Sequence, residues 1–520
     1  MEYDLVIVGA GPSGLSAAIQ FKKLCIENKK EFSVCIVEKA SEVGGHILSG
    51  AILETTALEE LIPDWRDKSS PVKTNVTEEK FMYLGEQSSF NLPSVFLPNV
   101  MHNKNNFIIS LGNFCKWLST IAESLGIEIY PGFAASEILI NKNNEVYGIA
   151  TGDHGLNSDG TKSENFQQGI EIHSKYVFFA EGCRGHLGKQ MISNFGLDKN
   201  SQPQTYGIGL KELWEIKDSN SNPGEVIHSV GWPLDQSTYG GSFLYHLDKN
   251  LVSVGFVIGL DYKNPYLSPY DEFQRFKTHP KIRNIFDGGR RISYGARALN
   301  EGGWQSLPKP VFPGGVLIGC EAGTLNTPKI KGTHTAMKSG MIAAGSAFNA
   351  ILKNRKNDKL DCFEPNFKSS WAGKELKLAR NVRPSFRWGL KLGMLLTGID
   401  QILLRGKAPW TLKHHKKDNE TLLEKTDAVK IKYPKPDGIL TFDKLTNVSF
   451  TSTYHTENQP CHLILKNKDV PIAYNLKKYD SPEQRYCPAG VYEIVGNLGK
   501  ESLQINSQNC IHCKTCDIKD

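Results

Sequence analysis

Near the N-terminus, "DLVIVGAGPSGLSAAIQFKKL" runs from β-branched residues into a glycine turn and then into a helical pattern of small and apolar positions. Strand, phosphate loop and helix in that order predict the opening βαβ unit of a doubly wound sheet. Within Val8, Gly9, Ala10, Gly11, Pro12, Ser13 and Gly14, the three glycines have separate steric duties. Gly9 permits a tight turn, Gly11 lets backbone approach a pyrophosphate, and Gly14 lets helix and strand pack closely. The helix start then turns unpaired N–H groups and a positive dipole end toward the phosphates. G-x-G-x-x-G alone also fits a plain glycine turn. Here a second apolar run, "FSVCIVEKA", carries Glu38, 24 residues after Gly14. A carboxylate there can accept hydrogen bonds from a ribose hydroxyl, which favours a bound dinucleotide.

Between FAD and NAD, "VEKASEVGGHILSG" favours FAD, because a glycine pair that includes Gly45 lets the chain run close to a cofactor. Two distant segments agree. "YVFFAEGCRG" and "GGVLIGCEAGTLNTPKIKGTHTAMKSG" are apolar strands ending in small residues, the arrangement that closes a flavin fold. In the second, Glu321 is placed to reach the ribityl chain. A helix starting near Gly332 and Thr333 would aim its positive end at the flavin ring and favour an anionic reduced state. An ordinary strand-turn-helix remains the plainer reading of both segments.

Between residues 186 and 290, "VIHSVGWPL", "GSFLYHL" and "LVSVGFVIGL" alternate like sheet and read as a β-rich domain inserted in the flavin fold. Such an insertion normally covers the reactive face and holds the substrate, which directs attention to "TYGGSFLYH". Gly240 and Gly241 there expose backbone where a flat ligand could lie, or else they make a hairpin turn.

Further on, Trp388, Leu392, Leu395, Ile399 and Ile402 recur at helical spacing and form one apolar face. The longest uncharged run among them is Leu392 to Ile399, far short of the ~20 residues that a membrane-spanning helix needs. From Lys374 to Lys417 there are 11 Lys or Arg against two acids, with Trp388 and Trp410 toward either end. Apolar face, basic rim and interfacial tryptophans describe a helix lying in an anionic membrane surface. A helix packed on the core with a basic edge has the same pattern. "NLPSVFLPNVM", residues 91 to 101, could join the surface helix.

Residues 418 to 440 are polar and lysine-rich and read as a linker to a C-terminal module of about 80 residues. That module holds "YCPAG" and "NCIHCKTCDIKD". Zinc is usually held by two separated cysteine pairs, whereas Cys510, Cys513 and Cys516 at successive two-residue spacings, with Cys487 followed by proline, match a [4Fe-4S] cube. His512 lies inside the triplet as a neighbour rather than a ligand. The other seven cysteines (Cys25, Cys35, Cys115, Cys183, Cys320, Cys362 and Cys461) are scattered singly and read as reduced core residues. The first strand-like run begins at Tyr3, so the expectation is a protein that works where it is made or that has been processed already. A net charge of +6, from 61 basic and 55 acidic residues spread along the chain, gives no reason to expect nucleic acid.

Together, "TYGGSFLYH", "VGFVIGLDYKNPYLSP", "ARALNEGG", "PKIKGTHTAMKSG", "LLRGKAPWTL", "CPAGVYE" and "NCIHCKTCDIKD" resemble the electron transfer flavoprotein-ubiquinone oxidoreductase family from about residue 4 to 520. The resemblance implies a monotopic membrane enzyme with FAD, one [4Fe-4S] cluster and a ubiquinone site. It places FAD on the stretch Val6 to Gln20, the cluster on Cys487, Cys510, Cys513 and Cys516, and the quinone on the backbone of Gly240 and Gly241. The expected fold is α/β plus α+β: a Rossmann-type FAD-binding fold of the glutathione-reductase/hydroxylase kind, an inserted β-rich quinone domain and a ferredoxin-like [4Fe-4S] module. Residues 1–75, 105–185 and 290–355 are expected to form the first, 76–104, 186–289 and 356–420 the quinone and membrane-surface region, and 435–520 the cluster module. The expected partners are electron transfer flavoprotein, ubiquinone and a membrane surface, met by a monomer through the helix near 385–404 and the loop 91–101. The expected location is the cytoplasmic face of a bacterial inner membrane, with the matrix side of the mitochondrial inner membrane as second choice. "GGHILSG" and "CEAGTLN" depart from the family pattern close to the flavin, and family members continue for a short tail past the position of Asp520. Three rivals stay open: an FAD-dependent reductase or hydroxylase of an isoprenoid or aromatic substrate, a nitrogen-fixation-type flavoprotein quinone reductase, and a non-catalytic scaffold with zinc on the four thiols.

Overall fold

The computed structural model describes residues 1–520 apart from Leu48, Ser49 and Leu498, so part of "GGHILSG" lies outside the described residues. The first strand, Glu2–Val8, runs parallel between Val34–Glu38 and Glu171–Phe179. Leu5, Val6 and Ile7 have no accessible surface. Burial on both faces explains why this strand is continuously apolar instead of alternating. Glu128–Pro131 extends the sheet beyond Val34–Glu38, and Gly315–Leu317 extends it beyond Glu171–Phe179, both in parallel. Segments from four distant parts of the chain therefore close one sheet, as the flavin motifs suggested.

Two helices sit on this sheet, Pro12–Glu27 and Thr333–Leu352. They approach closely because Gly340 has no side chain: a Cβ there would lie 2.2 Å from the Ser13 carbonyl oxygen. Small residues along Thr333–Leu352, including the buried Ala343, Ala344 and Ala347, serve the same contact.

A second sheet of seven strands has the order Arg290–Asn300, Tyr206–Glu215, Leu251–Gly259, Gly240–His246, Glu225–Gly231, Glu78–Leu84 and Ser89–Asn91. All neighbours are antiparallel except Glu225–Gly231 with Glu78–Leu84. The helix Pro269–Lys277 buries Phe273 and Phe276 against it. The same helix delivers Lys277 Nζ 2.8 Å from Glu212 Oε2, with both side chains sealed from solvent. Glu212 also accepts from Trp214 Nε1, Gln274 Nε2 and Asn447 Nδ2, so the buried carboxylate is fully solvated by protein.

Three expectations need correction, and one open alternative closes. Arg290–Asn300 pairs along its length with Tyr206–Glu215, so the boundary expected at 290 falls at the start of a strand that belongs to the second sheet and assigns that strand to the wrong region. Residues 418–440 are irregular but not free: Asp418 is buried, and Leu422, Ile431 and Leu440 pack on the second sheet's core. Gly240 and Gly241 open a strand instead of making a hairpin turn. Of the seven scattered cysteines, Cys362 and Cys461 are exposed and Cys320 only partly buried, because single cysteines carry no periodic signal of burial.

The C-terminal module consists of short helices, including Lys444–Val448, Glu483–Tyr486 and Thr515–Lys519, and one hairpin, Tyr492–Val495 with Ser502–Ile505. Its own core is small, built around Tyr486, Cys487, Ala489 and Val491. It leans on the second sheet: the Tyr294 and Ala298 N–H groups donate to the carbonyls of Phe450 and Cys513, at 3.1 and 2.9 Å.

Candidate functional site

Val8 ends the first strand, and the turn that follows has the sterics its glycines implied. Gly9 has φ of +106°, and a Cβ there would sit 2.6 Å from the Ala180 carbonyl oxygen. A Cβ on Gly14 would sit 2.1 Å from the Gly9 carbonyl oxygen. Gly11 differs: a Cβ there would meet nothing within 4 Å, so the backbone faces open space above the helix start at Pro12 and Ser13. That vacant approach is what a pyrophosphate requires.

Glu38 is fixed at the end of its strand, accepting from the Ala10 N–H and the Ala40 N–H at 2.9 Å each. Gly45 lies in the turn that follows, where its N–H donates to the Glu42 carbonyl at 3.1 Å. Gly332 and Thr333 begin the long helix, and no side chain caps it, so its first N–H groups stay available. Glu321 is buried and points at the start of the helix His186–Phe195, where the Gly185 N–H donates to its Oε1 at 3.2 Å. Its Oε2 has no partner among the described residues. Burial, and then the charge of Glu181, push the Glu321 carboxyl well above the usual carboxylate range. A buried carboxyl with an unmet oxygen beside an open glycine loop fits a polar cofactor chain. These features suit FAD.

Glu181 was not singled out by sequence. Its carboxylate accepts from the N–H groups of His186, Leu187 and Gly188 at 3.0, 2.9 and 2.9 Å and thereby caps that helix. Arg297, from the second sheet, donates to the Glu181 carbonyl and to the His512 carbonyl, at 3.3 and 3.0 Å. One guanidinium thus ties the turn after Glu171–Phe179 to the cysteine loop.

Cys487, Cys510, Cys513 and Cys516 line one cleft together with Tyr492, Val491 and Thr515. None of the four is in a disulfide. Four thiolates around one zinc lie roughly 3.8 Å apart, given a Zn–S bond of about 2.3 Å. Among the described residues, no three of these sulfurs lie within 4.8 Å of one another. Four cysteines on one lining, set wider than the ligands of a single ion, suit a polynuclear cluster.

Each sulfur has its own hydrogen-bonding neighbour. The Val491 N–H lies 3.5 Å from Cys487 Sγ, the His512 N–H 3.4 Å from Cys510 Sγ, and the Thr515 hydroxyl 3.3 Å from Cys513 Sγ. The Tyr492 hydroxyl bonds Cys516. Positive φ values at His512 (54°) and Lys514 (71°), unusual outside glycine, fold the loop around the sulfurs. Burial raises the thiols of Cys510, Cys513 and Cys516, the first to about 11, and the neighbouring thiols add to the effect. Holding all four as thiolates needs compensating positive charge, which an iron-sulfur core supplies.

Gly240 and Gly241 are half-buried at the start of their strand. Packing alone explains both: Cβ atoms there would lie 2.4 Å from the Val257 carbonyl oxygen and 2.6 Å from the Ser229 carbonyl oxygen. The segment leading into them carries Gln236, whose carbonyl accepts from the Leu390 N–H at 2.8 Å and whose side-chain amide donates to the Tyr83 hydroxyl at 3.0 Å. Gln236 therefore joins the glycines to two exposed apolar elements. One is the helix Leu390–Gly398, preceded by Trp388 and continued through Ile399–Leu403. The other is the segment following Glu78–Leu84, where Phe90, Val95 and Phe96 are exposed.

Trp388, Leu392, Leu395, Ile399 and Ile402 all face outward, as do Leu403 and Trp410. The helix therefore does not bury this face on the core. Among the described residues no helix is long and apolar enough to cross a membrane. On the short helix Val382–Ser385 that precedes Leu390–Gly398, Arg383 donates to Glu301 Oε2 at 3.0 Å and Asp261 Oδ1 at 2.9 Å.

Three family models match the chain. A "NAD(P)-binding Rossmann-like domain" matches residues 7–60, "ETF-QO, ubiquinone-binding" matches 206–299, and "Electron transfer flavoprotein-ubiquinone oxidoreductase, 4Fe-4S" matches 438–520. Two curated relatives are named electron transfer flavoprotein-ubiquinone oxidoreductase. The human mitochondrial protein is 53% identical, covering 100% of this chain and 86% of its own length. The Pseudomonas aeruginosa protein is also 53% identical, covering 100% of this chain and 95% of its own length. Among solved structures, a geranylgeranyl bacteriochlorophyll reductase-like protein from Thermoplasma acidophilum superposes with a TM-score of 0.55 at 17% identity, covering 78% of this chain and 98% of its own. A flavin-dependent brominase follows at 0.52 and 16%, covering 78% and 92%. At such identities the two structures share the fold alone.

Proposed function

The chain belongs to the electron transfer flavoprotein-ubiquinone oxidoreductase family, and from that premise we propose which of its residues carry the reaction and where they work. The protein is an oxidoreductase that accepts electrons from reduced electron transfer flavoprotein and passes them to ubiquinone through a [4Fe-4S] cluster and FAD. A cluster of this kind passes electrons singly and a flavin can hold two, so the pair joins one-electron delivery to a two-electron acceptor.

In this reading Cys487, Cys510, Cys513 and Cys516 hold the cluster, and the donors at Val491, His512, Thr515 and Tyr492 set how readily it accepts an electron. The glycine loop from Val8 to Gly14 takes the FAD pyrophosphate, Glu38 the ribose, Glu321 the ribityl chain, and the helix start at Gly332 and Thr333 the flavin ring; Gly45 keeps the chain out of the cofactor's way. Gly240 and Gly241 offer backbone groups to the quinone head.

The outward-facing residues from Trp388 to Leu403, with Phe90, Val95 and Phe96, lie on a membrane surface and let the quinone enter beside those glycines. The observation that carries this is that Gln236, four residues before Gly240 in the chain, bonds to Leu390 at the start of the exposed helix and to Tyr83. Arg387, Lys391, Arg405, Lys407 and Lys413, all exposed, meet anionic headgroups. The attachment is monotopic, on the cytoplasmic face of a bacterial inner membrane or, second, on the matrix side of the mitochondrial one. One chain carries all three sites, which supports a working monomer.

The test is quinone-dependent oxidation of reduced electron transfer flavoprotein. The unmodified protein is expected to turn over. Cys513→Ala is expected to keep flavin absorbance while losing the paramagnetic signal of a reduced cluster and the activity. A Cys513→Ala protein whose cluster signal and rate are unchanged would overturn the assignment of the cage.

A further inference from the structure

Outside the cysteine cage, three histidines converge. We propose that His455, His462 and His512 bind a single late first-row divalent metal ion, of the class of Zn²⁺ or Cu²⁺, at a site separate from the cluster. One ligand nitrogen from each lies within 4.8 Å of the other two. Each pair of rings has its centroids 5.0 Å apart. Three nitrogens on a tetrahedral zinc lie roughly 3.4 Å apart, given Zn–N bonds of about 2.0–2.1 Å. The trio needs only a small closure to meet that geometry.

The tautomer also fits. His455 Nε2 lies 2.7 Å from the Cys510 carbonyl oxygen, so this nitrogen carries the proton and Nδ1 keeps its lone pair. A metal-binding imidazole typically donates its far N–H to a carbonyl in this way, which fixes the ring's orientation. The competing donor at His455 Nδ1 is the flexible Gln459 amide, 3.3 Å away. Among the described residues, no hydrogen bond engages the ring nitrogens of His462 or His512. The His512 side chain serves this trio, while its backbone N–H serves Cys510.

The other clustered candidate, Glu54 with His334 and Glu375, is already filled by an ammonium: Lys329 Nζ lies 2.6 Å from Glu54 and 2.7 Å from Glu375. Among the described residues, no ammonium hydrogen-bonds to the histidine trio. Lys39 and Lys514 face His462 and oppose any cation there. Binding therefore depends on the donor strength of three imidazoles, which favours zinc and copper over magnesium and calcium. Occupancy would staple the chain around residues 455–462 to the cysteine loop. At present that segment is held by the His455 contact, by Gln508 donating to the Glu457 carbonyl at 3.1 Å, and by Asn458 with Ser158 at 2.7 Å. His462 is exposed, so solvent can supply a fourth ligand.

The experiment titrates oxidised holoenzyme, freed of adventitious metal by chelator and desalting, with Zn²⁺ in a calorimeter, with Mg²⁺ as control. The expected result is one equivalent of Zn²⁺ with no heat from Mg²⁺, and affinity at least tenfold lower in His462→Ala and in His455→Ala. Iron and flavin contents should be unchanged in both variants. Cu²⁺ bound in place of Zn²⁺ should show hyperfine splitting from imidazole nitrogens, lost in His462→Ala. His462 is exposed, so its replacement does not threaten the fold. The proposal is overturned if the unmodified holoenzyme binds no Zn²⁺, or if His462→Ala changes the affinity by less than tenfold.

Discussion

Leu395 and Leu403 provide the most direct measure of the membrane reading. They are 59% and 74% exposed, yet nothing in the fold requires apolar side chains there. If this face enters lipid, the two together transfer about one and a third side chains' worth of apolar surface, and at ~2 kcal/mol per fully transferred leucine this amounts to about 2.5 kcal/mol. Since 1.4 kcal/mol is a factor of ten, Leu395→Gln/Leu403→Gln should weaken partitioning roughly 70-fold. The assay is co-sedimentation of holoenzyme with vesicles containing anionic lipid, at several lipid concentrations. Because both residues are exposed, the melting temperature should barely move, which separates lost adhesion from lost folding. The unmodified protein should also bind less tightly as salt rises, since the basic rim acts within a Debye length of the headgroups. A change in partitioning of less than about fivefold, well under the roughly 70-fold expected, would refute the reasoning and point to a protein partner on this face.

Lys277→Met should destabilise the protein by about 3–5 kcal/mol, because it leaves the buried Glu212 carboxylate without its ammonium. Adding Glu212→Leu should restore most of the loss in a denaturant titration. Burial tends to raise the Glu375 carboxyl, but the His334 hydrogen bond and the Lys329 charge hold it down at about 2. Its folded-state pKa is therefore below the ordinary value. The stability it supplies, about 3 kcal/mol, is complete above pH ~4.5 and is lost as pH falls toward 2. Glu375→Gln should flatten thermal stability over that window and lower it at pH 7. Thr515→Ala and Tyr492→Phe each remove a hydroxyl beside a sulfur proposed to hold the cluster. With less hydrogen bonding to stabilise added negative charge, the cluster midpoint should fall in a redox titration followed by paramagnetic resonance, with flavin content unchanged.

Legibility in the sequence followed locality. The strand, glycine turn and helix at residues 2–27 and the Cys510–Cys516 triplet were readable because spacing over a few residues dictates their geometry. The exposed face of the surface helix was readable from its period, but whether it met core or solvent was not, since both give the same stripe. The boundary expected at 290 failed because Arg290–Asn300 finds its partner strand some 80 residues earlier. Residues 418–440 looked like a linker by composition. What holds them is a few long-range contacts, such as Asp418 Oδ2 accepting from the Tyr206 N–H at 2.8 Å. Glu181 and Arg297 gave no signal either, because each acts on backbone groups brought close only by the finished fold.

Lys519 lies in the last helix, yet it is buried. Its Nζ donates to the carbonyls of Leu260, Tyr262 and Asp418 at 2.6, 3.1 and 3.0 Å. With Arg184 gripping Asp517 at 3.0 Å from the first sheet, the cysteine loop is bolted to both halves of the molecule. A free ferredoxin must diffuse and find its partner for every electron it gives up. This module cannot leave, so its hand-over to the flavin involves no collision, depends on neither concentration nor viscosity, and leaves encounter with the outside flavoprotein and with quinone as the only diffusive steps in turnover.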